Sequence, residues 1–253
     1  MLLQDKIGLV VGVANARSIA AGCAHAFARE GATLALTYMN DRALPHVQPV
    51  AEAVDAQELL ALDLAVPDQL ETVFDTITAR WGRLDFLLHS VAFCPKDDLH
   101  GRVVDCSAAG FAQAMDISCH SFLRLVRQAE PLMRKGGSVI TVSYYGAEKV
   151  VDHYNIMGPV KAALESLARN VAVELGPQAI RSNVLSPGPI ATRAASGISG
   201  FDSLMAEARD RAPERRLVTI EEVGAVAAFL ASDKATGVTG TVTHIDGGRH
   251  ARM

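Results

Sequence analysis

A single doubly wound α/β domain is the fold this sequence predicts, and three observations predict it. Short apolar runs alternate with helix-length, alanine-rich segments along the chain. Most of those runs are hydrophobic at successive positions, the pattern of parallel strands covered on both faces. The chain has 253 residues, 49% of them hydrophobic and 21% charged, with no linker-like tract, so one domain over 1–253 can bury its own core.

Seven strands are expected, at 7–11, 33–38, 58–62, 84–89, 138–142, 182–185 and 241–245. Their crossovers should be right-handed, placing helices on both faces of a mostly parallel sheet. The stretch 18–29 has helical spacing and stops before Gly31, a capping glycine. Pro67-Asp68-Gln69-Leu70 opens a second helix that closes near Trp81-Gly82. The stretch 161–175 runs into Gly176-Pro177, a strong stop signal. Residues 187–217 hold Pro187, Gly188, Pro189, Gly197 and Gly200, then a mixed helical run near 204–211. This stretch reads as a mobile cover over a site. The charges from Glu207 to Arg216 read as its solvated face.

Composition excludes several classes. A net charge of −4 argues against a nucleic-acid binder that works by neutralising phosphates. No apolar run reaches the ~18 residues of a membrane span, and Met1 to Lys6, too short an apolar stretch for a signal h-region, is expected not to be one. Cys23, Cys94, Cys106 and Cys119 show no C-x-x-C spacing, so a reduced, cytoplasmic chain is expected. The eight histidines show no paired metal-ligand spacing, and no metal is expected. His89 reads as a packed core residue.

Strand one runs directly into Gly12-Val13-Ala14-Asn15-Ala16-Arg17-Ser18-Ile19-Ala20 and then a helix. Such a turn offers free N–H groups to a pyrophosphate, although only Gly12 and Gly22 remain of a G-x-G-x-x-G fingerprint. A plain turn capped by Ser18 is the other reading. Asp63 after strand three can accept from an adenine amino group, and Ser90-Val91-Ala92 after strand four leave room for a ribose. All lie at carboxyl ends of strands, where open α/β sheets bind ligands. Together they make the fold of dinucleotide-binding, Rossmann type. Tyr38-Met39-Asn40-Asp41-Arg42 carries no basic pair for a 2′-phosphate, and Asp41 would repel one. NADH is preferred over NADPH, with Arg17 and Arg42 as candidate phosphate partners.

After strand five, Tyr154 precedes Lys161 by seven residues. Pro159 suits a first helical turn, so the helix should begin near Met157, with Tyr154 at its mouth and Lys161 one turn inside. A nearby ammonium would favour the phenolate and tune the phenol as an acid.

These residues make the chain resemble the short-chain dehydrogenase/reductases, and among them the divergent bacterial enoyl-acyl-carrier-protein reductases. The resemblance rests on Gly12 to Ala20 (GVANARSIA), His89 to Phe93 (HSVAF), Met115-Asp116-Ile117-Ser118 and Ser143 to Lys161 (SYYGAEKVVDHYNIMGPVK). Ser186 to Thr192 (SPGPIAT) and Asp246-Gly247-Gly248 complete it. It implies that Tyr154 acts at the enoyl carbonyl, that Lys161 holds the nicotinamide ribose and that Tyr144 belongs to the catalytic pocket. It implies cofactor contacts at Gly12, Ser18, Ile19, Met39, Asp63, Leu64, Ser90, Val91, Ala92, Ile190 and Thr192. Phe93, Cys94, Tyr144, Tyr154 and Met157 would meet the substrate, and about 191–217 would form a flexible substrate-binding cover. Pro159, Pro187, Ala92, Cys94 and Met39 depart from the usual pattern, and the ending Arg249-His250-Ala251-Arg252-Met253 is unusually basic.

The implied reaction is hydride transfer from NADH to the β-carbon of a trans-2-enoyl thioester in fatty acid elongation. Acyl carrier protein would be the partner, and a homotetramer the assembly, built on the helices near Phe111 to Leu125 and 161–175. Two alternatives stand beside it. One is a ketone or aldehyde reductase in which Ser143 orients a carbonyl; the other is an idle dinucleotide sensor. Asp116 and Ser118 read as contacts near the site.

Overall fold

The computed structural model describes residues 1–192 and 200–252. Strands β1 (Ile7–Val11), β2 (Thr33–Tyr38), β3 (Glu58–Ala61), β4 (Phe86–His89), β5 (Gly137–Val142), β6 (Ile180–Pro187) and β7 (Val242–Ile245) form one sheet. Its order is β3-β2-β1-β4-β5-β6-β7, and every neighbouring pair is parallel. The helices are α1 (Ile19–Arg29), α2 (Leu44–Ala53), α3 (Gln69–Trp81), α4 (Lys96–His100) and α5 (Ala108–Met115). They continue with α6 (Ser121–Ala129), α7 (Met157–Leu175), α8 (Phe201–Arg211) and α9 (Ile220–Ala231).

Successive residues of one strand feed opposite cores, because side chains alternate across a sheet. Leu9, Val11, Leu87, Val139 and Val184 face one core with residues of α3, α6 and α7. Val10, Phe86, Leu88, Ile140 and Leu185 face the other, with residues of α1, α2 and α9. Both faces are covered, which is why the strands read as continuous apolar runs.

Three helices escape the sequence reading, the short α4 among them. α2 carries Pro49 in its interior, where a missing N–H costs one helical bond. α9 announces itself through Thr219 and Glu222, a reciprocal capping box ahead of an apolar run. Gly22 is a contact of α1 with α9 and not a remnant of a phosphate fingerprint. A Cβ there would sit 2.4 Å from the Ile220 carbonyl oxygen, and one at Gly224 would sit 2.4 Å from that of Gly22. The helical path expected over Phe111 to Leu125 is interrupted by a wider turn at Asp116–His120.

His89 is fully buried at the end of β4. Its Nε2 and Nδ1 lie 2.8 Å from Ser121 Oγ and Thr141 Oγ1. Ser121 donates its own proton to Ile117 O, so the ring must donate from Nε2 and accept at Nδ1. Burial pushes His89 down to about 3, with Lys161 adding to the fall, so the ring stays neutral. All four cysteines are free. Among the described residues, no helix is long and apolar enough to cross a membrane.

Candidate active site

Because the sheet is parallel throughout, every carboxyl end opens on one edge, and the expected site residues follow those ends. Gly12 comes directly after β1 with φ +106°. A Cβ there would lie 2.1 Å from Ser90 O, so only glycine allows β1 and β4 to close together at this turn. Ser90 N donates to Val11 O, and Val91 and Ala92 follow along the same opening. Ser18 caps α1 by accepting from Ala21 N and donates to Asn15 O. Its hydroxyl is thus committed inside the turn, and the amino end of α1 presents backbone N–H groups instead. Asn15, Ala16, Arg17 and His46 enclose a cavity of about 310 Å³ in front of that end. His46 was missed because nothing in the sequence links α2 to the first turn.

The remaining cofactor-side positions vary in what they expose. Ile19 packs against the α1 core, as does Ile190 beyond β6, and Thr192 N donates to Ile190 O. Met39 is open to solvent just past β2. β3 stops at Ala61, so Asp63 stands in the following turn, where Oδ1 accepts from Ala65 N. The side chain of Leu64 belongs to the core, and its carbonyl accepts from Arg124.

Past β4, Ser118 clamps Phe93 by accepting from its N–H and donating to its carbonyl, both at 2.8 Å. Phe93 is partly open, and Cys94 packs at the core margin. Ser118 is therefore the contact near the site that was expected. Asp116 points to solvent and pairs with His120 and Arg124.

The segment after β5 builds the centre of the site. Tyr144 and Tyr154 meet edge to face, with ring centroids 5.0 Å apart. The turn is held by left-handed backbone at His153 (φ +64°) and Asn155 (φ +45°), residue types that tolerate it. Asn155 anchors it further by donating to Gly101 O and Leu99 O. A Cβ at Gly146 would lie 2.4 Å from the Tyr154 ring, and one at Gly158 would lie 2.8 Å from Gly146 O. Two glycines thus let the tyrosine ring and the first turn of α7 press on the same loop. Met157 opens α7 and is buried beneath it.

Lys161 is buried one turn into α7 and donates to Val142 O at 2.7 Å and more weakly to Val91 O at 3.5 Å. Burial lowers it to about 8. The expectation that this ammonium makes Tyr154 more acidic is corrected by the structure. Burial raises the Tyr154 phenol above its usual range, Tyr144 and Glu165 add to the rise, and Lys161 does not offset it. The phenol is a neutral donor. Ser143 is also buried and donates to Glu165 Oε1 at 2.6 Å.

A family model described as enoyl-(acyl carrier protein) reductase matches residues 12–250. The chain belongs to that family. It is 46% identical over 249 residues to an NADH enoyl-[acyl-carrier-protein] reductase of Rhizobium meliloti, covering 98% of this chain and 92% of the relative. The crystal structure of the Aquifex aeolicus NADH enoyl-[acyl-carrier-protein] reductase superposes with TM-score 0.96 at 43% identity, covering 99% and 98% of the two chains. The Anaplasma phagocytophilum reductase in complex with NAD gives 0.95 at 44%, covering 99% and 96%.

The cradle fits a dinucleotide of the kind such reductases use. Gly12 removes the side chain that would fill the turn, and the buried ammonium of Lys161 has a third proton left for an oxygen acceptor.

The end of the chain holds what sequence reasoning missed. Arg249, read only as part of a basic tail, is buried 5.4 Å from the Tyr145 ring centroid. His244, Asp246 and His250 gather their ligand atoms within 4.8 Å, a cluster that the search for paired histidines overlooked. His244 bonds Glu148, His250 bonds Asp246, and the two rings stack at 4.0 Å. Near-parallel rings share no plane in which one ion could sit.

Proposed function

We propose that this chain reduces the α,β double bond of an enoyl-acyl-carrier-protein thioester with NADH, in fatty acid elongation. Bound NADH supplies the hydride, which goes to the β-carbon. Negative charge then builds on the thioester oxygen, where the neutral Tyr154 hydroxyl donates a hydrogen bond. Lys161 holds the nicotinamide ribose, and Tyr144 braces the Tyr154 ring. Gly12, the amino end of α1, Met39, Asp63, Leu64, the 90–92 strand end, Ile190 and Thr192 line the dinucleotide. Phe93, Cys94, Tyr144 and Met157 wall the acyl side.

One observation carries this reading over a ketone or aldehyde reductase. In the latter, Ser143 would present its proton to a carbonyl, but here that proton is committed to Glu165. Tyr154 remains to serve the oxygen. The test compares crotonyl and acetoacetyl thioesters with NADH and with NADPH. Rapid NADH oxidation with the crotonyl thioester only is expected; equal or faster turnover of the acetoacetyl thioester defeats the reading.

The same reading makes 1–253 one catalytic domain with a cover at about 191–217. Of that cover, α8 (Phe201–Arg211) is seen, while 193–199 lies outside the described residues. It also takes the chain to be a cytoplasmic homotetramer. Exposed Phe111 on α5 and Val173 on α7 support that assembly, because large apolar side chains left in solvent invite a partner.

A further inference from the structure

The inference below rests on the enoyl thioester reading and concerns the part of the substrate beyond the reacting carbons. A cavity of about 480 Å³ opens between the loop carrying Tyr145 to His153 and α8, with Lys149, Arg249 and Arg252 among its walls. Arg249 is only 8% exposed, yet its Nη1 has no hydrogen-bond partner among the described residues. Tyr144 Oη, beside it, is buried too, and the Arg249 guanidinium lies within hydrogen-bonding reach of it. Arg249 is near enough to pull the Tyr144 phenol back down against the rise that burial causes. Buried polar atoms are nearly always satisfied, so the unpartnered Nη1 of Arg249 on this cavity wall points to a ligand with oxygens.

The local charges agree. Arg211 is paired with Glu207 at 3.2 Å. Asp246 is occupied by Gly248 N, His250 N and His250 Nδ1. That leaves Lys149, Arg249 and Arg252 against Asp152 on the cavity wall, a surplus of positive charge on a chain of net charge −4.

We propose that this cavity receives the amide-bearing, phosphate-ended arm that joins the thioester to its carrier. Arg249 donates to the arm's outer amide oxygen, the one that N-acetylcysteamine lacks, and Arg252 with Lys149 meets its phosphate at the rim. Arg249 is thus a specificity residue for carrier-linked substrate.

The test measures KM and kcat for three crotonyl thioesters: N-acetylcysteamine, pantetheine and 4′-phosphopantetheine. Arg249→Gln is expected to raise KM about ten- to hundredfold for the last two, the loss of a charged hydrogen bond, and to leave the N-acetylcysteamine thioester unchanged. Arg249→Lys should recover part of that loss. Arg252→Gln should raise KM only for the phosphorylated thioester. An equal loss on all three substrates, or a loss on none, overturns the proposal. Should Arg249→Gln not fold, free 4′-phosphopantetheine must compete with the phosphorylated thioester in the unsubstituted protein; absence of competition overturns it too. Failure of the enoyl reading itself looks different, since the unsubstituted protein would then turn over none of the three.

Discussion

Tyr154 shows how environment and not neighbourhood in sequence sets a side chain's chemistry. Burial between Tyr144 and Glu165 raises its phenol, so at neutral pH it carries the proton that a developing enolate needs. Replacing it by phenylalanine removes only that donor. Tyr154→Phe should lower kcat by about two to three powers of ten, while NADH fluorescence titration gives an unchanged Kd. Lys161 makes the opposite case. Burial lowers it to about 8, so the ammonium is complete below that pH and fades above it. NADH affinity should therefore weaken as pH rises through about 8. Lys161→Met should bind NADH about ten- to hundredfold more weakly and lose that pH dependence. A flat Kd from pH 6.5 to 9.5 in the unsubstituted protein would show that the ammonium does not hold the cofactor. Both residues were legible from spacing. The direction of the Tyr154 shift was not, because burial depends on what packs around the turn.

At the scale of elements, the turn from β5 to α7 and the pair α1–α9 do different work. The first places the tyrosine pair through left-handed His153 and Asn155 and through Gly146 and Gly158, where side chains would collide. The second backs the first turn of the sheet. Gly22 and Gly224 let two helix backbones touch, which fixes where the amino end of α1 points. Gly224→Ala forces a methyl group to 2.4 Å from a carbonyl oxygen. It should cost about 1–3 kcal/mol in urea unfolding and weaken NADH binding in parallel. Unchanged stability would mean that α9 shifts freely. The expected start of α7 at Met157 matches the structure because Pro159 costs no helical bond in a first turn. α2 was invisible for the complementary reason: Pro49 inside it argues locally against a helix that the β2 core nevertheless stabilises.

For the whole molecule, one parallel sheet with a core on each face gathers residues from positions 12 to 192 along a single edge. That gathering makes a site from residues that are individually bland. The exposed apolar residues of α5 and α7 extend the same logic beyond one chain. Sedimentation should show a tetramer, and Val173→Asp, placing a charge at a side chain now 81% exposed in the monomer, should yield smaller species. A monodisperse monomer in the unsubstituted protein would remove the tetramer.

The strands, their parallel direction, the loop at Gly12 and the Tyr154–Lys161 pair were all legible in the amino-acid sequence itself. Each depends on short-range pattern: apolar runs, one proline, one fixed spacing. Only the tertiary structure decided that Tyr154 stays neutral, that Ser143 is tied to Glu165, that Gly22 serves α9 and that Arg249 is buried beside Tyr144. Those outcomes depend on which distant segments meet and on how much water they exclude, and a linear string of residues carries neither quantity.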